Sequence, residues 1–162
     1  MSEQTFDVAR ATAADAAVVA ALFDRYRQFY GIASNPGESA GFVRSRLERG
    51  ESAVWLARTR DGEPAGFIQL YPSWSSLSCA PVWIVNDLFV VPAMRGRGIG
   101  EALLDVVRRH AETTGAAYLT LSTQLANTAA RRLYERIGYT LDTEFVTYQL
   151  DLRTSRGARA KT

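Results

Sequence analysis

Seven residues, Met94-Arg-Gly-Arg-Gly-Ile-Gly100, bring three glycines and two arginines together. Glycines at alternate positions uncover backbone amides, and a helix that starts among them points its unpaired first amides, with the positive end of its dipole, at whatever occupies the turn. An anion such as a phosphate suits that turn. Two common phosphate loops do not match. A Walker-type loop ends in Lys followed by Ser or Thr, whereas Gly100 is followed by Glu101 and Ala102. A dinucleotide fingerprint read from Gly98 meets Leu103 where a small residue is required, and one read from Gly96 has no proper spacing. Taken alone, the stretch also suits a plain turn with solvated arginines. An Arg-Gly contact to nucleic acid fits less well, because such segments are usually disordered repeats and this one is short and embedded in periodic sequence.

Asp87 is the most informative acid. Val82 to Val91 is apolar except at Asn86 and Asp87, and a carboxylate inside such a strand is costly to bury unless it is paired or used. It is either a structural carboxylate capping nearby amides or a group kept for chemistry. Tyr134 shares an apolar helical face with Leu133 and Ile137, which fits a core aromatic or, with a phenol pKa near 10, a proton donor. Cys79 is the lone cysteine and His110 the lone histidine, on different elements. No Cys/His pair, disulfide or metal site is expected from them. Tyr26, Phe29, Tyr30, Tyr71, Trp74 and Trp83 read first as core or edge aromatics, and Glu38 and Glu51 as surface charge.

The elements that position these residues follow from periodicity. Thr5 to Arg10 reads as a first strand, and Thr12-Ala-Ala-Asp15 has the capping-box form that begins a helix carrying Val18, Leu22, Tyr26 and Tyr30 on one face. After a loop at Asn35-Pro36-Gly37, Ser39 to Arg49 reads as a second helix closed by Gly50. Ala53 to Arg58 and Ala65 to Tyr71, joined through Arg60-Asp61-Gly62, form an antiparallel hairpin, and Ser73 to Ala80 reads as a Ser-rich loop. Val82 to Val91 has the continuity of a strand buried on both faces. A helix then runs from Ile99 to a stop at Gly115, with the glycine turn supplying Arg97 to Gly100 as its first turn. Tyr118 to Ser122 is a further buried strand, Asn127 caps a helix stopped by Gly138, and two strands, Tyr139 to Leu141 and Phe145 to Leu152, close the chain. The order predicts an α/β fold with a mixed, mostly antiparallel central sheet flanked by about four helices.

The 162 residues, 47% apolar, suit one domain over 1–152 with a basic tail over 153–162. A net charge of +2 is too small to argue for a polyanionic partner, and the excess sits in that tail. No basic segment precedes an apolar one at the N-terminus, and no apolar run there approaches the roughly 18 residues of a membrane span. A soluble, cytoplasmic protein with no membrane or nucleic-acid partner is expected.

Three features together narrow the glycine turn: Arg95-Gly96-Arg97-Gly98-Ile99-Gly100, the strand "DLFVVP" before it, and the run Asn127-x-x-Ala130-x-x-Leu133-Tyr134-x-x-x-Gly138-Tyr139 after it. In these and in the order of its elements the chain resembles the GNAT superfamily of N-acetyltransferases. The resemblance is strong from Trp83 to Tyr139 and in outline before that. It implies acetyl-CoA as co-substrate, with no metal, and direct attack by a primary amine in a ternary complex. It further implies main-chain contacts to the oxyanion and pantetheine arm at Phe89, Val90 and Val91, and pyrophosphate contacts at Arg95, Gly96, Arg97, Gly98, Ile99 and Gly100. Asn127, Ala130 and Tyr134 would meet the coenzyme, Tyr134 protonating the departing thiolate. Tyr30, Tyr71, Trp74, Asn86 and Asp87 would face the amine, with Asp87 positioning or deprotonating it. The Asp87 strand is closest in pattern to the polyamine and diamine branch, whose members often carry Glu before this Asp and are often dimers. Asn86 stands there instead, removing a negative charge and counting against a polyamine. A homodimer, a coenzyme A-binding module without turnover, and acetylation of a protein amine remain the alternatives.

Overall fold

The computed structural model describes residues 5–152, so the basic segment 153–162 lies outside the described residues. The elements are β1 (Phe6–Arg10), α1 (Ala16–Phe29), α2 (Pro36–Glu48), β2 (Ala53–Thr59), β3 (Pro64–Ser75), β4 (Ala80–Val90), α3 (Ile99–Thr113), β5 (Leu119–Leu121) and α4 (Thr128–Arg136), with single 3-10 turns at Ala13–Asp15 and Pro92–Met94. Two units are distinguished, one ending at Asn127 and one beginning at Thr128.

The first unit is built on a sheet of order β1-β2-β3-β4-β5. Neighbours are antiparallel except for β4 and β5, which run parallel. This is the mixed, mostly antiparallel sheet that the sequence pattern implies. On one face, Val19, Leu22 and Phe23 of α1 and Val43 of α2 pack with Val54, Leu56, Phe67 and Phe89. The alternate strand residues Trp55, Ile68 and Leu70 are also buried, and α3 packs on these strands, burying Ile99, Leu103, Leu104, Val107 and Ala111. His110 lies between Trp55 and Trp83, with ring centroids 4.9 Å away on each side. Its pKa is lowered, mainly by burial and further by Arg10.

Local chemistry explains the element boundaries, including those that depart from the sequence pattern. Asp15 Oδ2 accepts from the Thr12 backbone N–H at 2.9 Å, as a capping box requires. Asn35 Oδ1 accepts from the Glu38 N–H at 3.1 Å and Pro36 takes the first turn, so α2 begins three residues earlier than expected. Half of the Ser73 to Ala80 loop is strand: pairing continues to Ser75 opposite Ala80, leaving a four-residue turn, because cross-strand partners outweigh the weak loop preference of serine. β4 is not buried on both faces; Val82, Val85, Asp87 and Phe89 are buried and Asn86 is exposed. β5 is three residues long and only partly buried.

In the second unit, α4 ends before Gly138, whose φ of 102° lies in the left-handed region. Residues 139–141 and 145–151, expected as strands, form none. Asp142 Oδ1 accepts from the Glu144 and Phe145 N–H groups, folding the backbone into a local turn. Phe145, Val146, Tyr148 and Leu150 are exposed there. Their alternation satisfies a strand pattern, yet a strand exists only where its backbone groups are paired.

Gly66 sets how closely β3 approaches β4. It lies opposite Val90, and a Cβ on it would stand 2.6 Å from the Phe89 carbonyl oxygen. Gly66→Ala is expected to push the strands apart and cost about 1–3 kcal/mol in urea denaturation. Gly41→Ala, with nothing within 4 Å of the added methyl, should be neutral or stabilising.

Candidate active site

The site begins with one surplus residue in β4. Gln69 pairs with Asp87 and Leu70 with Val85, so Asn86 is a β-bulge with no partner of its own. The bulge resets the alternation, and Asp87 and Phe89 turn to the α1–α2 face while Val85 turns to the other. At the same point β5 leaves the sheet, its last pair being Leu121 with Val85. β4 therefore continues from Asn86 to Val90 with one edge uncovered by β5. The Val91 N–H donates to the Ala65 carbonyl at 2.9 Å, which makes Gly66 and Val90 a non-hydrogen-bonded pair and turns the Val90 N–H and C=O to that edge. The Val90 carbonyl accepts from Arg95 Nε at 3.1 Å. Arg95 is thus folded back along β4, with its guanidinium 5.6 Å from the centre of the Phe29 ring.

Beyond the 3-10 turn at Pro92–Met94, Gly96 and Gly98 have φ of 74° and 81°, a conformation that disfavours other residues. Added methyl groups would meet nothing within 4 Å at either position. Gly98 is the N-cap of α3, so Arg97 precedes the helix and does not belong to its first turn. The first bond back into the helix runs from the Ala102 N–H to the Gly98 carbonyl at 3.0 Å, leaving the Ile99 and Gly100 amides without one. Open space, two left-handed glycines and a helix N-terminus meet here, and a pyrophosphate fits that donor set.

Asp87, 3% exposed, is held by neutral groups. Gln69 Nε2 donates to its Oδ2 at 2.7 Å and Asn86 Nδ2 to its Oδ1 at 3.2 Å. Burial pushes its pKa up, and the hydrogen bonds, led by those from Gln69 and Asn86, pull it partly back. The Tyr71 hydroxyl accepts from Gln69 Nε2 at 3.2 Å; burial, then the charge on Asp87, pushes its pKa up to about 12. The Tyr26 hydroxyl donates to the Asn86 carbonyl at 3.3 Å, and the Tyr26 ring stacks edge-on with Tyr30 at 5.1 Å.

The model of the acetyltransferase (GNAT) family matches residues 16–139. The chain belongs to this family. It is 44% identical over 146 residues to the uncharacterised N-acetyltransferase YhfO of Bacillus subtilis, covering 90% of this chain and 97% of that one. A crystal structure of a probable acetyltransferase superposes with a TM-score of 0.85 at 39% identity, over 90% of this chain and 97% of the other. The aminoglycoside N(6')-acetyltransferase type 1 of Stenotrophomonas maltophilia is 27% identical over 87% of this chain and 90% of its own. The protein is a GNAT acyltransferase, of a family that uses acetyl-CoA.

In this GNAT chain the fold brings Tyr30, Tyr71, Asn86 and Asp87 into one connected group through Tyr26 and Gln69. It separates Trp74, which is 77% exposed and stands five residues past Gln69 on β3, about 16 Å along the strand. Trp83 does not line this group either; its indole N–H donates to Thr114 Oγ1 at 2.9 Å beside His110. Glu38 and Glu51 form ion pairs with Arg27 and Arg46. Asn127 immediately precedes α4, and Ala130 and Tyr134 lie on it, where the Tyr134 and Tyr139 ring centroids are 5.9 Å apart. Gln69 and Asp24 were not singled out from sequence. Gln69 is a lone polar residue in the apolar run Ala65 to Tyr71, the same signal that marks Asp87.

Asp24 fixes the loop that follows Tyr30. Its carboxylate accepts from Ser34 Oγ at 2.6 Å, the Asn35 N–H at 2.9 Å, Ser39 Oγ at 2.8 Å and Gln28 Nε2 at 3.1 Å. These bonds, led by that from Ser34, hold its pKa below the ordinary value. Asp24→Ala removes the acceptor common to four donors and should lower the melting temperature at pH 7 by roughly 5 °C or more. A depressed carboxyl pKa stabilises above the unfolded value and loses that effect as pH falls, so the difference from wild type should shrink on acidification below about pH 4.

Proposed function

We propose that this GNAT enzyme transfers the acetyl group of acetyl-CoA to a primary amine of a small molecule, by direct attack in a ternary complex. The parting of β4 from β5 at Val85 and Leu121 carries this reading, because it leaves a strand edge, with the Val90 polar backbone turned to it, leading to the glycine turn. Acetyl-CoA supplies an activated thioester. In this reading the main chain at Phe89, Val90 and Val91 receives the pantetheine arm and the oxyanion, and the amides of Arg95 to Gly100 receive the pyrophosphate. Arg97, which lies outside the helix, is free to add its guanidinium to the phosphates, while Arg95 orders the end of β4. Asn127 and Ala130 meet the coenzyme, and Tyr134 returns a proton to the thiolate.

Asp87 takes the acceptor side. A carboxylate raised in pKa by burial and ringed by neutral donors is suited to orient an ammonium and take up its proton. Tyr30, Tyr71 and Asn86 complete that side. The relative acting on an aminoglycoside N(6') amine supports a small-molecule acceptor. The likeness of the Asp87 strand to the polyamine branch supports a basic amine, and Asn86 in place of a carboxylate argues for one with fewer positive charges than a polyamine.

Thiol release from acetyl-CoA, measured with aminoglycosides, diamines, amino acids and peptides bearing free N-termini, tests the assignment. Turnover is expected with a small amine. Tyr134→Phe should lower kcat by about 100-fold and Asp87→Asn should lower kcat/KM by a similar factor. Turnover with peptide amines alone, or full activity in both variants, would contradict it.

A further inference from the structure

Gln69 is 1% exposed and stands directly across the ladder from Asp87. The nitrogen of its carboxamide lies 2.7 Å from Asp87 Oδ2 and 3.2 Å from the Tyr71 hydroxyl oxygen. An amide nitrogen carries two hydrogens, and these two contacts use both. The other end, Oε1, is buried and accepts no hydrogen bond from the described residues. An ionised carboxylate only accepts, so the charge on Asp87 holds the amide nitrogen-first, and the unsatisfied oxygen is what the arrangement gives up. Because the Tyr71 oxygen accepts from Gln69, its own hydrogen points elsewhere, and Tyr71 is half-buried while Asp87 is enclosed.

We propose that Gln69 is the positioning residue of the acceptor side: it aligns the Asp87 carboxylate and the Tyr71 hydroxyl from one nitrogen, so that the incoming amine meets two oriented oxygens. The proposal rests on the reading of Asp87 as the group that receives the amine. The groups facing Asp87 are Gln69 and Tyr71 from β3, Asn86 from β4 and Tyr26 from α1, with Arg46 of α2 acting on Tyr71. Of the hydrogen bonds that favour the charged carboxylate, the one from Gln69 acts most strongly, so its loss must favour the protonated form.

The test uses the full chain with Gln69→Met, which keeps the volume and removes the donor, and Gln69→Glu, which keeps the shape and adds a like charge. Carbon-13 NMR titration of the Asp87 carboxyl group should show a pKa raised by about one unit or more in each variant, tenfold in proton affinity. The acidic limb of kcat/KM should move up by the same amount, with the KM for acetyl-CoA unchanged. Tyr71→Phe should raise the KM for the amine and leave that limb in place. An unmoved carboxyl titration in both Gln69 variants, with Asp87→Asn inactive, would overturn the role of Gln69. Full activity of Asp87→Asn would instead overturn the role of Asp87 in the reaction.

Discussion

One extra residue in β4, Asn86, is the constraint on which the site depends. In an unbulged strand of the same sequence, Asp87 and Phe89 would share the face of Val85, toward α3, instead of facing α1 and α2. The bulge turns a carboxylate toward a face otherwise packed with Phe23, Phe67 and Phe89. It also falls where β5 ends, so the reorientation of the side chains and the opening of the strand edge occur at one place. Tyr26 secures it from above, its hydroxyl bonded to the bulged carbonyl.

The neighbouring strand is shaped to match. Gly66 lets β3 lie against the Phe89 carbonyl without a methyl group between them, which fixes the position of Val90. Arg95 then closes the Val90 carbonyl from the far side. Gly66 on β3 and Arg95 at the start of the glycine turn thus determine how the end of β4 is presented to that turn, and the left-handed conformations of Gly96 and Gly98 determine how α3 starts. Asp24 does the corresponding work between α1 and α2, gathering four donors onto one carboxylate so that the chain after Tyr30 has a defined path.

Much of this was legible in the sequence because its signals are local. The hydrophobic stripe of α3, the capping residue at Thr12, the glycine turn and the lone acid of β4 each act within a few residues. The bulge was not legible, because a surplus residue is defined only by the strand it fails to match. For the same reason Gln69 was passed over: its meaning lies in being opposite Asp87, 18 positions away. The Ser-rich stretch after Ser73 misled because serine preferences are weak beside a paired strand, and the alternating residues after Phe145 misled because a pattern does not supply a partner. Trp74 joins the acceptor residues only through the family resemblance, and strand register places it five residues past Gln69 on β3.

The central claim is that the open edge of β4 and the glycine turn form one acetyl-CoA site. A crystal structure of the protein with coenzyme A tests it most directly. The account predicts pyrophosphate density on the amides of Gly96 to Gly100 and a pantetheine arm hydrogen-bonded to the main chain at Val90. Density for the pyrophosphate away from that turn, or an arm that does not follow the β4 edge, would contradict it.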